Sequence, residues 1–265
     1  MNRILFLKEC KSNYKLLLIF MAVLTMYGSM IVAMFDPRLG ESLAMMAESM
    51  PEIFAAFGMA DVGTTMVEFV ANYLYGFLLI AFPSVFIVLL ASRLVTRYID
   101  RGSMAYLLAT PNCRRNIIVT QAVFMAASLL CLVAYVTVLC LAVSEGLFPG
   151  EMEVKKFLVL NAGLYGLLLF LSGLCFLAAA IFNEGRQATG VGGGLLVAFL
   201  LIQMVSQVGE KFEKVKYLTP LTLFSADGLI AGEEKALWMM GLLYLLGFIC
   251  YGIGVKVFCK RDLPL

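Results

Sequence analysis

The sequence predicts an all-α membrane protein with six transmembrane helices, because apolar residues are in excess and fall into six uncharged runs. Of the 265 residues, 62% are apolar and 14% are charged, and the mean hydropathy is +0.94. A soluble domain has about 45–50% apolar and about 25% charged residues. Lipid accommodates such an excess of apolar residues. A single membrane domain over residues 1–265 accounts for the length.

Six runs without Asp, Glu, Lys or Arg are long enough to cross the hydrocarbon core, which takes about 17–25 helical residues. They cover residues 16–35, 69–92, 117–143, 157–182, 187–208 and 236–255. Pro83 and several glycines lie within these runs, where neighbouring helices can satisfy a disturbed backbone. The first run has no clean cleavage site after it, so we expect it to remain as a membrane helix.

The basic residues between these runs predict the orientation of the chain. Segments on the side of the two termini contain 13 Lys and Arg residues, and segments on the opposite side contain 7. Cytoplasmic segments carry such an excess. We therefore expect both termini in the cytoplasm (N-in, C-in).

Two further apolar segments do not qualify as spans. Residues 41–60 would place Glu48 and Glu52 near mid-membrane, where each carboxylate costs about 2.5–3.5 kcal/mol. Their helical apolar spacing instead predicts an amphipathic helix on the outer membrane surface. Residues 217–232 are interrupted by Pro220 and Gly228, which leaves a partly re-entrant element and a surface loop as equal alternatives.

The sequence offers no catalytic site. It contains no histidine, which removes the commonest general base and the commonest transition-metal ligand. Its seven cysteines form no C-x-x-C pair, and we interpret them as apolar filler. No P-loop motif occurs, and the glycines from Gly190 to Gly194 open a membrane helix, where they favour close helix packing. We therefore expect neither enzymatic activity nor a bound metal.

The six runs also lack ionisable residues, which ion-coupled transporters usually keep within the membrane. Their strongest polar side chains are the amides Asn72, Gln121, Asn161 and Gln203, which we interpret as interhelical hydrogen-bonding groups. Any uphill transport is then expected to draw its energy from another subunit.

The connecting segment 93–116 reads RLVTRYIDRGSMAYLLATPNCRRN. Its apolar residues recur at helical spacing, and its arginines form a row along one side of the predicted helix. Pro111 disfavours helix at Thr110 and ends the element. Taken alone, the segment fits a basic helix on the membrane surface, attracted to anionic lipid.

With its continuation, DRGSMAYLLATPNCRRNIIVTQ, this segment resembles the permease subunits of type-2 ATP-binding-cassette (ABC) transporters. MPEIFAAFGMAD, YLTPLTLF and the closing FCKRDLPL are similar to the same family, as are the six spans and the basic start NRILFLKECKSNYK. The resemblance covers essentially the whole chain.

The resemblance implies a multi-pass subunit of an exporter in a bacterial cytoplasmic membrane. It would pair with a second copy or a related permease and dock a separate ATPase, which binds ATP and magnesium. Membrane lipid is the other expected partner, and nucleic acid is not expected. The implied coupling helix contains Asp100, Arg101, Leu107, Leu108, Thr110 and Pro111, with Arg114 and Arg115 as anchors at the membrane surface. The amphipathic start, with Ile4 and Leu7 on one face, would brace the ATPase.

Two other classes stay open on the sequence. An ion-coupled carrier or channel would transport solute without an ATPase, and the charge-free spans count against it. A non-transporting scaffold would bind partners without solute flux. An intramembrane hydrolase is the least favoured form of this last class, because the spans lack His, Asp and Glu.

Overall fold

The computed structural model describes residues 2–35, 65–100, 113–182, 184–207 and 216–260, with single positions at 45, 49, 50, 53, 55, 57 and 63. For Ile99 and Asp100 it describes the backbone alone. These residues form helices joined by short connections, and no strand occurs among them. The predicted all-α class is therefore confirmed for the described part of the chain.

Among the described residues, six helices are long and apolar enough to cross a membrane, as many as the sequence predicts. They are Arg3–Ala33 (α1), Leu78–Thr96, Arg114–Leu147 (α5), Val154–Ile181 (α6), Gly185–Gln207 (α7) and Glu234–Lys260 (α9). Several exceed the predicted runs. The 31 residues of α1 extend about 46 Å, whereas the hydrocarbon core is about 30 Å thick.

The second membrane helix is built from several segments and extends beyond the predicted run 69–92 at both ends. It begins as α2, Met66–Val70, behind a capping box of Thr65 and Glu68, and continues as a π-helical turn, Ala71–Tyr75. The helix breaks at Phe77, whose φ of −138° is not helical, and restarts as α3, Leu78–Ala91. A second π-helical turn, Ser92–Thr96, leads into α4, Arg97–Asp100.

Side-chain contacts give the directions of the helices. Phe20 packs on Phe86 and Phe35 packs on Phe69, so α1 and the second membrane helix are antiparallel. Asn2 donates to Thr120, and Thr25 bonds to Tyr135, so α1 and α5 are parallel.

The direction of the chain also alternates along the remaining membrane helices. Tyr244 of α9 bonds the carbonyl of Ala162, and Tyr251 packs on Phe176, so α6 and α9 are parallel. We call the end of the bundle where α1 begins and α9 ends the basic end. Its described cations are Arg3, Lys8, Lys11, Lys15, Arg93, Arg97, Arg114, Arg115, Arg186, Lys256 and Lys260.

The fourth membrane helix, α6, is the centre of the bundle, and 78% of its most apolar stretch is buried. Glycines let α9 approach it closely. A Cβ atom on Gly173 would lie 2.9 Å from Cys250 Cβ, and one on Gly254 would lie 2.9 Å from the Phe176 ring. Since helices in lipid associate through such packing, these glycines explain why α6 and α9 form a tight pair.

The glycines from Gly190 to Gly194 at the start of α7 face two different surroundings. A Cβ atom on Gly192 would lie 3.4 Å from Cys175 Sγ, and one on Gly193 would lie 3.3 Å from Val88 Cγ1. Around Gly190 and Gly194, the described residues leave open space within 4 Å. Within this chain, close packing therefore uses the middle of the cluster and leaves Gly190 and Gly194 on an open face.

The two predicted outer segments are described to different extents. Most of 41–60 lies outside the described residues, although Met45, Ser49, Ile53 and Ala55 are helical. The segment 217–232 forms a 3-10 helix, Pro220–Leu223, and then α8, Ala226–Ala231. Its residues Leu221, Leu229 and Ile230 are buried against the bundle, so this segment is a broken helical element rather than an irregular loop.

Candidate functional site

The end of the second membrane helix is the part of the predicted coupling segment that the structure describes. The segment was predicted to start at Arg93 with helical spacing. The helix continues through the second π-helical turn to Asp100, with Leu94 and Val95 fully buried. The connection to α5 therefore starts from an ordered helix end that is anchored in the bundle.

The start of α1 packs beside this helix end. Ile4 and Leu7 share a face, as predicted, and that face is exposed, with 82% and 52% of their surfaces accessible. The opposite face is buried and includes Leu5 and two polar residues, Glu9 and Asn13. A polar pair on the buried face requires partners, since an unpaired buried carboxyl is costly.

Glu9 finds those partners on its own helix and on α4. Tyr98 Oη donates to Glu9 Oε1 at 2.5 Å, across 89 residues of sequence. Asn13 Nδ2 donates to Glu9 Oε2 at 3.1 Å. Lys8 Nζ lies 5.3 Å from the centre of the Tyr98 ring, within reach of a cation–π contact. Only 2% of Glu9 is exposed, whereas Tyr98 is half-buried and Lys8 is exposed, so the cluster joins a buried carboxyl of α1 to the end of the second membrane helix.

The phenol of Tyr98 is held in its neutral, donating form. Its burial and, next, its hydrogen bond to Glu9 raise the pKa of Tyr98 above its usual value. A neutral phenol is the donor that the carboxyl oxygen of Glu9 needs. The short Tyr98–Glu9 contact is therefore a directional link and does not depend on charge attraction between the two side chains.

A second contact fixes the start of α1 against α5. The backbone N–H of Asn2 donates to Thr120 Oγ1 at 2.8 Å, and the Phe6 and Phe124 rings meet edge to face at 5.5 Å. The first turns of α1 thus lie between the end of the second helix and the beginning of the third. These are the two ends that the predicted coupling segment connects.

The predicted site residues are only partly described. Of Asp100 the structure gives the backbone, as the last residue of α4. Arg101, Leu107, Leu108, Thr110 and Pro111 lie outside the described residues. Arg114 and Arg115 form the first turn of α5, and Arg115 is exposed at the basic end.

Sequence reasoning did not single out Glu9, Asn13 or Tyr98. The available signal was the spacing of Leu5, Glu9, Asn13 and Leu16, which places two polar residues on the same helical stripe as the apolar ones. A polar residue on an apolar stripe predicts a buried partner without identifying it. The partner, Tyr98, becomes evident only when the helices are packed.

Comparison with known proteins gives a family and no named relative. No curated protein matches the chain. One family matches, described as "Protein of unknown function (DUF2705)", over residues 29–264, which is most of the sequence and includes the last turn of α1, Ser29–Ala33, and all the later helices. The chain therefore belongs to the DUF2705 family.

Proposed function

We propose that this protein is the membrane-spanning permease subunit of an ATP-driven ABC exporter in a bacterial cytoplasmic membrane. It pairs with a second permease and docks a separate ATPase, which supplies the ATP site. Both termini and the segment between α4 and α5 then face the cytoplasm. The exposed cations of the basic end support this orientation, since basic residues concentrate on the cytoplasmic side.

The link between Glu9 and Tyr98 is the observation on which the proposal depends most. A docked ATPase can move the membrane helices only through elements that stay rigid while they transmit the motion. The described start of the coupling segment ends with α4 at Asp100, two residues beyond Tyr98, and the Tyr98–Glu9 hydrogen bond fastens that helix end to α1. Two membrane helices would therefore respond together to a push on the segment.

Pairing with a second permease is assigned to the open face of α7. Only 17% of its most apolar stretch is buried within the chain, the smallest share among the six membrane helices of the described structure. Gly190 and Gly194 lie on α7 with open space around them, which suits close approach of another helix. Substituting Gly194 with Trp is expected to weaken pairing. The same change at Gly241, which is equally open on α9, is expected to leave pairing intact.

At the other end of the bundle, the broken element formed by Pro220–Leu223 and α8 would close the external mouth of the pathway, together with 41–60. A cavity of about 490 Å³ lies there, and its lining is mixed: Thr219, Ser225, Glu233 and Lys235 stand beside apolar residues such as Leu218. Two charged side chains in this lining fit contact with water better than contact with lipid. The cavity supports an external, water-facing position for this element.

The decisive experiment is purification of the tagged chain from its native membranes in mild detergent, with mass spectrometry of the proteins that accompany it. A P-loop ATPase in stoichiometric amount is the expected result. In proteoliposomes of that complex, Tyr98→Phe should lower ATP-driven transport severalfold, because the ring stays and the link to Glu9 is lost. Tyr27→Phe is the matched control, since Tyr27 lies on α1 but outside the cluster.

Replacement of Asp100 or Leu107 tests the docking contact itself and should release the ATPase. If both replacements leave the complex and its transport intact, the coupling assignment is wrong. If no ATPase accompanies the chain and the chain transports solute alone, the proposed function is wrong.

A second candidate is an ion-coupled carrier, and the buried Glu9 is the observation that favours it. Buried carboxyls in membrane proteins often belong to proton or ion pathways. This function predicts transport by the purified chain in liposomes under an imposed proton gradient, without ATP. It also predicts that Glu9→Gln abolishes such transport, whereas an ATPase-driven permease with this substitution would keep a reduced, ATP-dependent flux.

A further inference from the structure

The second π-helical turn, Ser92–Thr96, borders a small cavity where three membrane helices meet. The second membrane helix contributes Val88 to the wall, α6 contributes Cys175 and Ala179, and α7 contributes Gly192. Small side chains of this kind let helix backbones approach closely in lipid. The space that remains has a volume of about 10 Å³, which is enough for a single water molecule.

The wall of this cavity carries three hydroxyl groups. Ser92 and Thr96 belong to the π-helical turn, and Thr189 belongs to α7. The described lining residues include no charged side chain, which fits a neutral occupant better than an ion. Only 2% of Thr96 and 3% of Cys175 are exposed, so much of the wall is buried in the bundle. A buried water molecule typically makes about three hydrogen bonds to polar groups, and this wall offers three such groups.

The hydroxyls of this wall have hydrogen-bonding capacity left for another partner. Thr96 Oγ1 lies 2.8 Å from the carbonyl oxygen of Ser92 and 3.2 Å from Ser92 Oγ. Because a carbonyl can only accept, the nearer carbonyl takes the hydrogen of Thr96, and the lone pairs of Thr96 Oγ1 stay available. The Thr189 hydroxyl makes no hydrogen bond to another described residue. A small molecule that both donates and accepts hydrogen bonds matches this set.

We propose that one ordered water molecule occupies this cavity and bridges the second π-helical turn to α7. Its hydrogen bonds join Ser92 and Thr96 on one side to Thr189 on the other. Ordered waters commonly satisfy polar groups where a membrane helix departs from α-helical pairing. The water therefore supports the turn from which α4 and Tyr98 continue. The site does not depend on the proposed transport function, because it rests on the packing of three helices within this chain.

The test is radiolytic labelling of the full chain in detergent, read by mass spectrometry. A short X-ray pulse splits water where it lies, so a bound water oxidises an adjacent sulfur atom that bulk solvent does not reach. Cys175 lines the cavity, whereas Cys140 is equally buried on α5 and does not line it. Cys175 should be oxidised severalfold faster than Cys140. Equal, slow oxidation of the two thiols would mean a dry cavity and would overturn the proposal.

The variant Thr189→Val tests the polar wall. It keeps the shape of the side chain and removes one hydroxyl, so oxidation of Cys175 should fall towards the rate of Cys140. Thr137→Val is the matched control, since Thr137 is buried on α5 and does not line the cavity. This control should leave the oxidation of Cys175 unchanged.

The variant Gly192→Ala tests the space. Its added methyl group would lie 3.4 Å from Cys175 Sγ, in the wall of the cavity, and should exclude the water. Gly194→Ala is the matched control, because a Cβ atom there meets no described atom within 4 Å. Size-exclusion chromatography establishes that all four variants fold. Fast oxidation of Cys175 that neither Thr189→Val nor Gly192→Ala reduces would show that bulk solvent reaches the sulfur directly, and would overturn the bound water.

Discussion

Tyr251 of α9 donates its phenolic hydrogen to Ser172 of α6, with 2.7 Å between the two oxygens. The direction follows from the third partner. Ser172 uses its own hydrogen on the carbonyl of Leu169 at 2.8 Å, and a carbonyl can only accept. The pair lies inside the tightest helix contact of the bundle, beside Gly173 and Cys250, where water does not reach.

The donor direction predicts unequal costs for the two deletions. Tyr251→Phe removes one interhelical hydrogen bond, which is worth about 0.6 kcal/mol on average in membrane proteins. Ser172→Ala leaves the Tyr251 hydroxyl buried without an acceptor, which costs about 1–3 kcal/mol. Thermal unfolding in detergent should therefore rank Ser172→Ala below Tyr251→Phe, with wild type highest. The reverse order would mean that the donor has been misassigned.

Glycine packing predicts opposite effects at two positions of α9 that are two residues apart. Gly254→Ala brings a methyl group to 2.9 Å from the fully buried ring of Phe176. Overpacking of this kind costs about 1–3 kcal/mol. Gly252→Ala meets no described atom within 4 Å and should gain up to about 1 kcal/mol from helix propensity. The fraction of each variant that stays soluble after heating, followed by size-exclusion chromatography, measures both changes in stability. Equal behaviour of the two variants would argue against the close α6–α9 contact.

A double-mutant cycle should detect the link between α1 and the second membrane helix. Glu9→Ala and Tyr98→Phe, singly and together, should show a coupling free energy of about 1 kcal/mol in unfolding, because each variant removes one partner of the hydrogen bond. The cycle of Glu9→Ala with Tyr27→Phe should show none, because Tyr27 is far from Glu9 along α1. A coupling near zero for the Tyr98 pair would remove the support that this contact gives to the proposed function.

Cysteine labelling should reveal the orientation of the chain. Cys113 is an exposed thiol just before α5, and Glu151 is exposed between α5 and α6, at the opposite end of the bundle. In intact cells a membrane-impermeant maleimide should label Glu151→Cys, and it should reach Cys113 only after permeabilisation. Peptide mapping distinguishes these positions from the other cysteines. Labelling of Cys113 from outside would reverse the proposed orientation.

The sequence predicted the number of membrane helices because long uncharged apolar runs have few stable alternatives in lipid. It did not predict where the second helix breaks and resumes. The break at Phe77 and the π-helical turns depend on packing against neighbours, and the apolar run from 69 to 92 contains no charge to mark them.

Glu9 was missed for a related reason. The predicted first span began at residue 16, after the last charge, whereas the helix starts at Arg3 and buries Glu9 against Tyr98. Hydropathy measures transfer of single residues into lipid. It does not include a hydrogen-bonding partner that lies 89 residues away in the chain.

The π-helical turn Ser92–Thr96 holds one more residue than an α-helical turn would at this place in the second helix. Its Arg97 N–H reaches back five residues to the carbonyl of Ser92 instead of four. Returning that turn to α-helical pairing would displace everything after Thr96 by one residue, about 1.5 Å along the axis and about 100° around it. Arg97 and Tyr98 would then rotate together about the helix axis, while Leu79 and the rest of α3 would keep their positions.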